Sequence, residues 1–313
     1  MRWGDFRRSD NVEDRTDGAP EGGGGGFGGG FPGGGGIRIG GGALVVIVIA
    51  SLIFGVNPLE MLGMMEGGAP VAPQAPPQQA APGYGPQHPQ APRPAPAPGP
   101  RQDQSKDFVA AVLGDTEDVW GAIFTAQGAQ YQKPRLVLFR SATKSGCGLA
   151  SAATGPFYCS ADRELYLDTA FFNELARRFG APGEFAQAYV IAHEVGHHVQ
   201  NLTGTMRKVD QAMQRTDSRG RNALSVRLEL QADCYAGVWG YFANKRGLLD
   251  PGDLESGFRA AAAVGDDQIQ KRTQGYVVPE SFTHGSAEQR LHWFKVGLGS
   301  GDMRKCDTFA AQG

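Results

Sequence analysis

Apolar and polar positions recur at helical spacing through most of the last two thirds of the chain. Over 107–127, Phe108, Val109, Val112, Val119, Trp120 and Ile123 share a face and predict a helix, with an interruption expected at Gly114. Further helices are predicted over 169–179, ended by Gly180, and over 184–202, ended by Thr203-Gly204. A long one follows over 221–246, ended by Gly247, and two shorter ones over 253–263 and 286–296. Two short runs read as strands: 134–139, rich in β-formers, and 163–167, which alternates. The expected fold class is α+β, mostly helical with a small sheet, and no internal repeat is visible.

The first hundred residues break this pattern. Sixteen glycines lie between Gly18 and Gly42, and twelve prolines between Pro70 and Pro100. Such stretches cannot build a packed core. The expected organisation is a disordered Gly-rich tail at 1–38, an apolar span at 39–59, a Pro/Ala/Gln linker at 60–104 and one folded domain at 105–313.

The span has twenty-one residues and no charge. About 20 residues at 1.5 Å each cross a 30 Å hydrocarbon layer, so it reads as a single transmembrane helix. The forty or so residues before it are too many for the n-region of a signal peptide, and no A-x-A site follows it directly. Arg2, Arg7, Arg8, Arg15 and Arg38 precede it, and the next cation is Arg93. The positive-inside rule then predicts a cytoplasmic N-terminus and an extracytoplasmic domain at the inner membrane.

From Ser105 onward 23 Lys and Arg face 23 Asp and Glu, a balance that argues against nucleic acid as a partner. Oligomeric state leaves no trace in the sequence. Cys147, Cys159, Cys234 and Cys306 are even in number, as expected of a disulfide framework in an oxidising compartment. Cys147 and Cys159 flank a small-residue loop suited to a bridge, which leaves Cys234 and Cys306 as the second pair, although sequence does not fix connectivity.

The candidate chemistry lies at 192–198, Ala-His-Glu-Val-Gly-His-His. His193 and His197, at i and i+4 on a helix, present two imidazoles to one ion, and Glu194 beside them is placed to act on water. The third ligand of an H-x-x-G-x-x-H zinc site is excluded, because Gln200 and Thr203 occupy those positions. On the next long helix, Glu229 and Asp233 are again i and i+4. Glu229 is the candidate third ligand, and Asp233 the acceptor for the far nitrogen of a ligating histidine. His198 is rotated about 100° away from the ligands and is expected to pack or meet solvent.

These residues, with Cys147-Gly-Leu, Gly155-Pro-Phe-Tyr-Cys159, Tyr166-Leu-Asp168 and Thr283-His-Gly-Ser-Ala-Glu-Gln-Arg290, resemble the neutral zinc metallopeptidase family of bacterial membrane-anchored proteins. That family is of the gluzincin type, with H-E-x-x-H and a distant E-x-x-x-D. The resemblance covers nearly the whole chain. It implies a zincin-like domain holding one Zn2+ and hydrolysing peptide bonds in an extracytoplasmic protein or peptide, with Glu194 as general base. It further implies that His284 stabilises the oxyanion. Arg290 either orients that segment or pairs with a carboxylate near the site, and the strand at 163–167 offers an edge to an extended substrate. The alternative is a catalytically silent scaffold that keeps the fold.

Overall fold

The computed structural model describes residues 1–16, 100–151 and 154–310. A four-stranded sheet runs in the order β1-β2-β6-β5. β1 (Val12–Asp14) pairs in parallel with β2 (Arg135–Phe139), and β2 in parallel with β6 (Glu164–Asp168). β5 (Phe157–Cys159) pairs antiparallel with β6. β3 (Ala142–Ser145) and β4 (Gly148–Ser151) form a separate hairpin. β6 therefore lies between two partners over Glu164–Tyr166 and offers no edge there. Among the described strands the free edge beyond β6 belongs to β5, so the expectation of a substrate edge at 163–167 is corrected.

Eight α-helices build the rest of the described fold: α1 (Pro100–Ala126), α2 (Phe171–Arg177), α3 (Glu184–Leu202), α4 (Thr205–Met213), α5 (Ser218–Lys245), α6 (Asp253–Ala263), α7 (Asp266–Thr273) and α8 (Ala287–Ser300). α3 is the central element, with every residue from Phe185 to Gln200 except Gln187 buried. A helix buried on all sides belongs inside a core, and α5, α6 and α1 surround it. α5 and α8 pack almost backbone to backbone. A Cβ on Gly297 would lie 1.9 Å from the Cys234 carbonyl oxygen, and one on Gly237 2.2 Å from that of Phe294. Cys234 pairs with Cys306 across this junction, and Cys147 with Cys159, at Cα separations of 5.6 and 5.7 Å. Both separations suit a disulfide.

The sequence expectation fails in three places. α1 begins at Pro100, inside the expected linker, and runs through Gly114 without a break. Residues 1–16 are not disordered: they carry β1, bury Phe6 and pack on α1. The expectation rested on composition averaged over 1–38, but apart from Gly4 the glycines begin at Gly18. The elements β1, β3, β4, β5, α4 and α7 were not foreseen; the strands among them, of three or four residues, are too brief to show a period. The apolar span at 39–59 lies outside the described residues. No helix among the described residues is long and apolar enough to cross a membrane.

Candidate metal centre

His193 and His197 leave the buried face of α3 on successive turns, and Glu229 meets them from α5. One ligand atom from each lies within 4.8 Å of the others. Nε2 of His193 is 3.2 Å from Glu229 Oε2, and Nε2 of His197 is 3.4 Å from Glu229 Oε1. This convergence needs close helices. A Cβ on Gly196 would lie 2.9 Å from the Ala232 carbonyl oxygen and 3.1 Å from its Cα, so glycine between the two histidines lets α5 approach. Gly196→Ala should push backbone against backbone and cost about 1–3 kcal/mol by overpacking. It should also weaken metal binding by moving Glu229. Thermal unfolding and a chelator titration check the two effects, and an unchanged metal affinity would show that α5 can shift without disturbing the site.

The far nitrogens are held as a metal site requires. His193 Nδ1–H donates to Asp233 Oδ1 at 2.9 Å, and His197 Nδ1–H donates to Gln200 Oε1 at 2.9 Å. Each bond keeps a proton on Nδ1, so that Nε2, once it has lost its own proton, is the nitrogen left for a metal. Gln200 is itself oriented by donating to the Leu228 carbonyl at 2.7 Å. Arg290 resolves the two alternatives left by the sequence in favour of the carboxylate. It grips Asp233 with Nε to Oδ2 at 2.8 Å and Nη2 to Oδ1 at 2.9 Å. Tyr189 donates its hydroxyl proton to the same carboxylate.

Burial works against charge throughout this cluster, and the partners decide each outcome. Despite burial, Asp233 is held low by Arg290 and His193, and Glu229 well below the usual carboxylate range by His197 and His193. Burial opposes a proton on His193, but Asp233 and Glu229 outweigh it and push the imidazole up to about 10. A cation at Nε2 must displace that proton, so metal and proton compete. The sign is fixed: affinity for a divalent metal should rise with pH between 6 and 9, by about tenfold per unit for one proton released. Chelator competition at several pH values measures this, and a flat profile would remove His193 from the ligand set.

Glu194 follows His193 on α3 and is buried, which pushes its carboxyl up against the pull of His193 and His197. His284 sits in the turn before α8. Its Nδ1–H donates to Asp266 Oδ1 at 2.9 Å, while Asp266 Oδ2 accepts the backbone N–H groups of Thr283, His284 and Gly285 at 2.7, 2.7 and 3.0 Å. Burial disfavours the charged imidazole, but Asp266 and then Glu229 hold its pKa up. His198 lies outside the cluster and braces α3 against the sheet. It receives the Tyr158 hydroxyl at Nδ1, 3.1 Å away, and donates Nε2–H to the Gln132 carbonyl at 2.6 Å. Burial lowers it to about 4, so it is neutral.

The sequence reading missed Tyr189, Gln200 and Asp266. Tyr189 is four residues before His193 and Gln200 three after His197, so helical spacing alone could have found both. Asp266 lies 18 residues before His284 and had no such signal. A groove of about 640 Å³, lined by Val226, Leu230, Phe282, Ser286 and Trp293 among others, lies against the next turns of α5 and α8, and none of the three candidate ligands lines it.

The donor set fits a zinc-type ion: two neutral-capable imidazoles with fixed tautomers and one carboxylate, three protein ligands in all. Comparison with known proteins agrees. The chain is 44% identical over 313 residues to the uncharacterized protein YpfJ of Escherichia coli (strain K12), covering 99% of both chains. It is 45% identical over 214 residues to the uncharacterized protein Rv2575 of Mycobacterium tuberculosis (strain H37Rv), covering 65% of this chain and 70% of that one. No solved structure matches it. The family whose pattern matches residues 1–309 is described as "Putative neutral zinc metallopeptidase", and this chain belongs to that family.

Proposed function

We propose that the protein is a zinc-dependent peptidase that hydrolyses peptide bonds in extracytoplasmic peptides or proteins. The observation that carries this reading is the convergence of His193, His197 and Glu229 with Glu194 buried beside them. A site built only for structure normally takes four protein ligands and has no use for such a neighbour. His193, His197 and Glu229 would hold one Zn2+, which supplies a Lewis acid and lowers the pKa of bound water towards about 7. Glu194, its proton affinity raised by burial, takes the proton of the attacking water and delivers it to the leaving amine nitrogen. His284, whose proton Asp266 favours against burial, donates from Nε2 to the oxygen on which negative charge develops. Asp233, clamped by Arg290 and Tyr189, keeps His193 from turning.

Two disulfides support action outside the reducing cytoplasm. The uncharged run at 39–59 supports attachment to a membrane. The test uses the purified full chain. One zinc per chain is expected, with cleavage of a mixed peptide library that is abolished by a chelator and restored by zinc. Stoichiometric zinc without cleavage of any peptide would leave a silent scaffold, and a folded chain that takes up no metal would overturn the site.

A further inference from the structure

A single crossing at 39–59 would put residues 1–16 and the folded domain on opposite sides of a membrane. The contacts between them say otherwise. β1 forms three consecutive register pairs with β2, Val12 with Leu136 through Asp14 with Leu138, inside the main sheet. Phe6 is buried in the main core, and Trp3 meets Phe108 edge to face at 5.5 Å. Arg8 grips Asp107 at 2.6 and 2.8 Å. Glu117 is a buried carboxylate of α1, and three of its partners come from this segment: Ser9 Oγ at 2.6 Å, Arg7 Nη2 at 2.6 Å and Asn11 Nδ2 at 2.8 Å.

The domain is also shaped to receive the segment. Glycine inside a helix costs stability relative to alanine, yet α1 keeps Gly114 at its middle. A Cβ there would lie 2.2 Å from the Arg7 carbonyl oxygen and 3.0 Å from the Ser9 nitrogen. The missing side chain is the space the segment's backbone occupies. Ser9 N–H donates to the Ala110 carbonyl at 2.9 Å, and Arg7 Nη2 to that of Gly114 at 3.0 Å. β1 is tied to the first turns of α1 as well, since Lys106 Nζ is 3.2 Å from Asp14 Oδ2.

We infer that residues 1–16 are an integral part of the catalytic domain and lie on the same side of the membrane as it does, so that the run at 39–59 does not separate them. Twenty-one residues suffice for one crossing and not for two. Two of the five arginines before the run, Arg7 and Arg8, serve as ion-pair partners of α1.

Site-directed thiol labelling in sealed spheroplasts tests this with the full chain. The four native cysteines are paired, so an introduced thiol is the sole target. Gly4→Cys reports on the segment and Gly299→Cys on the domain, since a Cβ at either position meets nothing within 4 Å and both residues are exposed. A membrane-impermeant maleimide should label both variants before lysis. Labelling of both only after lysis also supports a shared side, while moving that side to the cytoplasm. Labelling of Gly299→Cys before lysis and of Gly4→Cys only after it, or the reverse, would overturn the inference. The readout is independent of peptidase activity, so it stands or falls apart from the proposed function.

Discussion

Glu194→Gln is expected to leave zinc at one per chain and to lower kcat/KM by about 10²–10⁴-fold. That loss corresponds to roughly 3–5 kcal/mol of transition-state stabilisation. Glutamine has the shape of glutamate and keeps its place on the buried face of α3, but it cannot accept a proton. Glu194 is not among the three groups whose ligand atoms converge, so its replacement should spare the metal. Metal analysis beside peptide kinetics separates the two effects. Loss of zinc with the activity would make Glu194 a ligand, and retained activity would remove it from the mechanism.

Arg290→Met should have the largest effect on stability. Arg290 is 4% exposed and Asp233 fully buried. The arginine makes two hydrogen bonds to that carboxylate, one at 3.2 Å to the Val264 carbonyl and one at 3.3 Å to the Tyr189 hydroxyl. Methionine leaves a buried charge short of its main counter-ion, a change that costs about 3–5 kcal/mol. For a domain of this size that corresponds to a fall of roughly 6–20 °C in Tm. Metal affinity should also fall, by about 10–100-fold, because Asp233 would no longer be held on His193. Arg290→Lys should restore charge without the planar fork and recover only part of either loss. The double variant Asp233→Asn, Arg290→Met should regain stability over the single one but not metal affinity. If stability falls and metal affinity does not, Arg290 supports the fold alone.

The sequence by itself determined what local spacing can express. Helical periods located α3, α5, α6 and α8, and i, i+4 pairing put His193 with His197 and Glu229 with Asp233 on single faces. The even cysteine count and the small-residue loop between Cys147 and Cys159 anticipated both disulfides. Tertiary structure decided whatever depends on residues far apart in the chain. Arg290 reaches Asp233 across 57 residues, and β1 joins β2 across more than a hundred. No periodicity records such contacts, and a strand of three residues is too short to show one. Composition misled where it averaged a docked segment with the glycine tract behind it. Gly114 and Gly196 carry the same lesson. On the sequence Gly114 read as a break in a helix, and Gly196 drew no reading of its own. In the fold each is the place where another backbone comes too close for a Cβ, and that closeness joins residues 1–16 to α1 and brings Glu229 to the histidines.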